Sequence, residues 1–229
     1  MNETKSLCEV IADKLEYAIF NDKTINKGKL PSEMQLANAY GVSRPVIREA
    51  LKILKARGLI DSRQGAPTTI AEYKVEDLQK NLARISKMKN ISSTEVYAVR
   101  LALEVASARY AAQNATEEDL LALRKINEEM QKNSNDYPLL ARLDTQFHVA
   151  VAQASKNTLL AFITEAFAGL LYSVIERTVD ERTAIDGVAF HDKIISAIEK
   201  GEAENASEIM RAHLILSLRN FEEIQVREI

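Results

Sequence analysis

A chain of 229 residues with 30 Lys+Arg, 33 Asp+Glu and a net charge of −3 is long enough for one or two domains with cores of their own. Its single cysteine, Cys8, excludes a disulfide framework, a CxxC zinc site and a dithiol redox pair. Seven Gly and four Pro are under half of the roughly 12% found in an average protein. Long helices with few turns are therefore expected, and an all-β fold is not. The absence of Trp removes the strongest stacking platform for single-stranded nucleic acid. No apolar run approaches the roughly 18 residues of a membrane span, and the first twenty residues are too charged for a signal peptide. The expectation is a soluble, cytoplasmic protein with no membrane partner.

The mean charge hides a split. Residues 1–74 hold 12 Lys+Arg against 9 Asp+Glu, whereas residues 75–229 hold 18 against 24. The basic part also contains Pro31, Pro45 and Pro67. Two domains are expected, 1–74 and 75–229, with the boundary near Ala71 to Val75.

In chain order, Leu7, Val10, Ile11, Leu15, Ala18 and Ile19 recur at helical spacing and predict a helix over 6–21. Ser32 followed three positions later by Gln35 forms a capping-box pattern that opens a short second helix. Gly41 breaks it, and Ser43 with Pro45 predicts the start of a third helix, with Ser43 as cap. Two helices joined by a Gly-containing turn make a helix-turn-helix. On the third helix Ile47, Ala50, Ile53 and Leu54 occupy one apolar sector. Arg44, Arg48, Lys52 and Lys55 fall within about 80° of one another on another side. The β-branched runs on either side of Gln64 and Gly65 predict a small hairpin, completing a winged helix. A helix presenting arginine to the major groove can read guanine edges and neutralise phosphates, although a solvated charged face is the commoner meaning of such a stripe taken alone.

The runs Leu30-Pro31-Ser32-Glu33, Gly41-Val42-Ser43-Arg44-Pro45-Val46-Ile47-Arg48-Glu49-Ala50-Leu51 and Gly58-Leu59-Ile60 resemble the DNA-binding signature of GntR-family transcriptional regulators over about residues 6–72. The resemblance implies that Arg44 and Arg48 contact operator bases or phosphates, with Ser43 and the wing tip, Gln64 and Gly65, assisting. Lys52 joins them as a candidate from its place on the cationic face. The family often has an arginine after the Pro-Ser-Glu triplet; here that position is Met34, so one DNA contact of the family is absent.

Beyond Val75 the apolar periodicity predicts seven helices, 75–89, 93–114, 116–133, 138–154, 157–178, 184–200 and 202–223, and no strand, which is an all-α bundle of six to seven helices. Every histidine lies in this part. Asp144 and His148 are one turn apart on a helix face bordering Leu140, Leu143, Phe147 and Val151. His191 is set among Ile194, Ile195 and Ile198, and His213 among Ile209, Met210 and Leu216. Each single imidazole could be a core histidine bonded to a carbonyl. Three turned inward beside one carboxylate point to a shared divalent cation, Zn²⁺ or Ni²⁺ first, with Mn²⁺ or Fe²⁺ also suited.

Arg100 with Glu104, the Asp144-x-x-Phe147-His148 run followed by Asn157, then His191 and His213, resemble the effector-binding FCD domain of the FadR subfamily. That resemblance implies that Asp144, His148, His191 and His213 hold the metal, that a small carboxylate effector completes its shell, and that Arg100 faces the same pocket. An alternative for Arg100 is a simple pair with Glu104. The function expected is a homodimeric DNA-binding regulator, a repressor in the first instance, acting on a palindromic double-stranded operator under effector control. The alternatives are a metal-dependent enzyme using the His₃-Asp site and a metal-free helical sensor.

Overall fold

The computed structural model describes residues 5–21, 28–62, 66–72, 74–176 and 179–227. The chain divides into two compact units, Met1–Tyr73 and Lys74–Ile229, and the fold is mainly α. No helix among the described residues is long and apolar enough to cross a membrane.

The first unit contains α1 (Leu7–Asn21), α2 (Glu33–Tyr40), α3 (Arg44–Ala56), β1 (Ile60–Asp61) and β2 (Thr69–Ile70). The strands pair antiparallel with Ile60 opposite Ile70 and Asp61 opposite Thr69. Gly28 to Leu30 adds a third edge, as the Leu30 amide donates to the Thr68 carbonyl at 2.9 Å and the Ile70 amide to that of Gly28 at 3.2 Å. Ile11, Leu15 and Ile19 from α1 meet Leu36 from α2, Ile47, Ala50 and Leu54 from α3, and Ile60 from β1 in one core. This is the winged-helix arrangement, in which α1 supports the helix-turn-helix from behind.

The caps follow the sequence at α2, where Ser32 and Gln35 form the reciprocal box and Gly41, at φ +64°, closes the helix in the left-handed region. At α3 the expectation needs correction. Ser43 occupies the N-cap position, but its side chain makes no capping hydrogen bond. A cap hydroxyl serves the amides of the second and third helical residues, and here Pro45, with no amide, is one of them. The hydroxyl of Ser43 therefore stays on the exposed surface at the start of α3.

The second unit has seven described helices: α4 (Val75–Lys89), α5 (Ser93–Asn114), α6 (Glu117–Lys132), α7 (Tyr137–Ala154), α8 (Thr158–Ile175), α9 (Glu181–Glu199) and α10 (Ala203–Arg227). α10 lies along α5 and α9, α7 packs on α5, α6 and α8, and α4 covers α8. Val105, Leu123, Phe147, Val151, Ile194, Ile198, Met210 and Leu214 form the main core. Reciprocal boxes at Ser92/Glu95, Thr116/Asp119 and Asp180/Thr183 set three helix starts. The Asp180 box moves the start of α9 to Glu181, one turn ahead of the expected Ala184, because a polar cap outweighs the onset of apolar periodicity in fixing a helix end.

Leu54 is fully buried between α1 and the wing. Leu54→Ala is expected to lower the stability of the first unit by about 2–5 kcal/mol, measured by urea unfolding followed by circular dichroism. A loss below about 0.5 kcal/mol, the usual size of a surface substitution, would contradict this packing.

Candidate metal centre and nucleic-acid interface

Three helices bring the four predicted donors to one place. α7 supplies Asp144 and His148, α9 supplies His191, and α10 supplies His213; one ligand atom from each lies within 4.8 Å of all the others. His213 Nε2 is 3.3 Å from His148 Nε2, and His191 Nε2 is 3.4 Å from Asp144 Oδ1. Donors held about 2.0–2.1 Å from one tetrahedral ion stand about 3.3–3.4 Å from each other, so these separations are those of a shared shell.

The rings are held rigidly. His191 stacks on Phe147 with centroids 3.7 Å apart and planes within 13°, and His148 lies nearly parallel to His213 at 5.2 Å. All three imidazoles are buried. Among the described residues His191 Nδ1 has no hydrogen-bond partner, and its Nε2 meets only the long contact to Asp144. A buried polar atom left without a partner costs about 1–3 kcal/mol. Two Nε2 atoms facing each other likewise need a proton or a cation between them. This donor chemistry fits a divalent metal.

Protonation is favourable to the same end. Burial, then the neighbouring histidines His191 and His148, push the His213 imidazole well below its ordinary pKa. His191 is lowered chiefly by burial, against the opposing pull of Asp144. Burial alone would raise the Asp144 carboxyl, but His148, His191 and His213 outweigh it and hold it below the usual carboxylate range. For His191, His213 and Asp144 these are the directions that metal binding favours, a neutral imidazole and a charged carboxylate.

Arg100 and Glu104 form an ion pair inside α5, buried on the same face as Tyr97 and Ala108. Arg100 Nε donates to Glu104 Oε1 at 2.8 Å and Nη2 to Oε2 at 3.3 Å. Arg100 thus pairs with Glu104 and also lines a cavity of about 50 Å³ with Tyr97, Asp144, His213, Ser217 and Asn220. Glu104 Oε2 stands 2.7 Å from His148 Nδ1. Burial would raise the Glu104 carboxyl, yet Arg100 and then His148 bring it down to about 2. That second contact of Glu104 was not foreseen. A signal existed, since Tyr97, Arg100, Glu104 and Ala108 share one face at steps of three and four. For Ser217 and Asn220 no pattern in the sequence marks them out.

In the first unit Arg44, Arg48 and Lys52 are exposed along α3. Glu33 of α2 gathers the two arginines: Arg48 Nη2 is 3.1 Å and Arg44 Nη2 3.8 Å from its Oε2. Lys52 pairs with Glu49 at 2.8 Å, and Lys55 Nζ donates to the Ser62 carbonyl at 2.8 Å. Such exposed pairs are weak because solvent screens them, so they orient the cations without withholding them from another anion. Met34 is exposed beside them. Gln64 and Gly65 lie outside the described residues.

Residues 7–70 match the gntR family of bacterial regulatory proteins, and residues 95–216 match the FCD domain. Among curated proteins, the HTH-type transcriptional regulator LutR of Bacillus subtilis is 32% identical, over 81% of this chain and 88% of its own. The Glc operon transcriptional activator of Escherichia coli K12 is 29% identical over 98% and 92%. The HTH-type transcriptional repressor NanR of an Enterobacter is 27% identical over 92% and 83%. Among solved structures, a GntR of Streptococcus agalactiae superposes with a TM-score of 0.71 at 26% identity, covering 93% of this chain and 98% of that one.

Removing one member of a buried ion pair strands the other, at about 3–5 kcal/mol. Arg100→Met should therefore destabilise the second unit by an amount of that order, whereas adding Glu104→Gln in the same chain should recover part of the loss. Thermal unfolding of both variants checks this; a double variant less stable than the single one would show that Glu104 does not depend on Arg100.

Proposed function

We propose, since the chain belongs to the gntR family of bacterial regulatory proteins and its second unit is an FCD domain, that it is an operator-binding regulator of the FadR subfamily whose helical unit senses a small carboxylate at a divalent metal. The family and the relatives are transcription regulators and not enzymes, which sets aside a catalytic reading of the His₃-Asp group. The observation that carries the proposal is the convergence of Asp144, His148, His191 and His213 on one point.

In this reading α3 enters the major groove. Arg44 and Arg48, set side by side by Glu33, reach base edges or phosphates, Lys52 neutralises a further phosphate, and Ser43 at the helix start donates to the backbone. The wing tip, Gln64 and Gly65, assists from the adjoining groove. Two copies binding as a homodimer would read two half-sites, and the symmetry of the protein would be mirrored in a palindromic operator. In this reading the protein acts in the cytoplasm, with the DNA.

In the second unit Asp144, His148, His191 and His213 hold the cation, Zn²⁺ or Ni²⁺ in the first instance. When bound, the metal supplies positive charge and open coordination positions for an anion. Arg100 adds a guanidinium to the same cavity, and Tyr97, Ser217 and Asn220 offer polar contacts along its wall. An effector alters operator affinity only as far as it binds the DNA-competent and incompetent states differently. The relatives include an activator and a repressor, and either sign of regulation uses the same coupling.

Two measurements test the proposal. Arg48→Ala should weaken binding to a cognate palindromic operator by about 1–3 kcal/mol per contact, read by fluorescence anisotropy across a salt series; an unchanged salt dependence and affinity would remove α3 from the interface. Wild-type protein prepared with Zn²⁺ or Ni²⁺ should retain about one metal per chain by elemental analysis, and His148→Ala markedly less. Wild type that takes up no metal would overturn the sensing half of the proposal and leave the DNA-binding half intact.

A further inference from the structure

His148 is the only one of the three imidazoles, among the described residues, with an acid behind it. Its Nε2 faces the other donors, 3.3 Å from His213 Nε2 and 3.7 Å from Asp144 Oδ2. Its Nδ1 is 2.7 Å from Glu104 Oε2. A neutral imidazole carries one proton, and a carboxylate at one nitrogen draws the proton there and leaves the lone pair on the other. Glu104 is buried, so this contact is little diluted by solvent. By contrast, His191 meets Asp144 through Nε2, on the side of the other donors, and among the described residues no carboxylate stands within ion-pair distance behind His191 or His213, as Glu104 does behind His148.

The same carboxylate carries Arg100 through two hydrogen bonds, from Nε and Nη2. A guanidinium has five N–H donors, so others remain, and Arg100 lines the cavity beside Asp144 and His213. One side chain on α5 thus meets His148 with one oxygen and Arg100 with both. Nothing in a simple structural pair between Arg100 and Glu104 requires the third member, His148.

We propose that Glu104 is a positioning residue for the metal centre: it fixes His148 with its proton on Nδ1 and its lone pair on Nε2 toward the cation, and the same carboxylate sets Arg100 in the effector cavity. The proposal rests on the metal-binding reading above. A carboxylate behind a ligating histidine raises its basicity and fixes its orientation, and losing such a partner lowers metal affinity by about 10–100-fold. Because Glu104 is shared, a cation that strengthens its bond to His148 changes its hold on Arg100, so the two halves of the cavity respond together.

The test uses the full-length chain and zinc in competition with a chromophoric chelator. Glu104→Gln is expected to bind Zn²⁺ about 10–100-fold more weakly than wild type, and Glu104→Asp, which keeps the charge, to regain part of the loss. Long-range ¹H–¹⁵N spectra of the wild-type imidazoles give a readout that a merely structural role would not move. In the metal-free protein they should place the His148 proton on Nδ1, the nitrogen that faces Glu104, and metal-free Glu104→Gln should lose that single-tautomer signature. Undiminished zinc affinity in Glu104→Gln, or a wild-type His148 proton on Nε2, overturns the role of Glu104 while leaving the metal site standing. Wild type that binds neither Zn²⁺ nor Ni²⁺ removes the metal reading, and the positioning role with it. Should Glu104→Gln fail to fold, the chain carrying Arg100→Met with Glu104→Gln, the Glu104→Asp variant and the wild-type spectra decide the question on the same criteria.

Discussion

The second unit is organised around one electrostatic constraint: a carboxylate and three imidazoles are buried within 4.8 Å of each other. Burying polar atoms is unfavourable unless each finds a partner, and the arrangement of α7, α9 and α10 lets the four groups serve one another. The surrounding packing keeps them there. Phe147 holds His191 by stacking, Phe190 lies against His213 at 5.4 Å, and Val151, Ile194 and Met210 close the core beside them. Rigid helices place such donors more precisely than loops do, so the long, nearly Gly-free helices of this unit are the form that the site needs.

A second layer stands behind the first. Glu104 links His148 to Arg100, and Arg100 lies over the Tyr97 ring at 5.3 Å. α5 therefore contributes no member of the four-residue group, yet its Glu104 stands 2.7 Å from one of them and its Arg100 lines the adjoining cavity. A buried pair of this kind does little for stability in itself, since the loss of solvation offsets the Coulombic gain. This pair instead joins His148 to the cavity that Arg100 lines.

The first unit solves a different problem, the presentation of cations to a polyanion. There the arginines must remain in solvent and still be ordered. Glu33 on α2 does this for Arg44 and Arg48, and Arg57, at the end of α3, ties back to Asp13 and Glu16 of α1. The helix-turn-helix is braced on both sides by exposed ion pairs, each weak in solvent.

Much of this molecule is legible in its sequence. Apolar spacing and turn signals mark the ten described helices, the capping box at Ser32 marks one start, and helical register puts Asp144, His148, His191 and His213 on inward faces, because helical periodicity is a local property that short-range sterics and hydrogen bonds dictate. Local rules also misled where two of them competed, as at Ser43, where the proline that suits the helix start removes one of the amides its cap would serve. What only the tertiary structure decided is which residues from separate helices share a point in space: that three histidines lying up to 65 positions apart meet, that Glu104 reaches His148, that Ser217 and Asn220 line the same cavity as Arg100. Periodicity gives each helix its buried face, but the rotation and height at which two faces meet are set by the packing of all their side chains together, and no single segment contains that information.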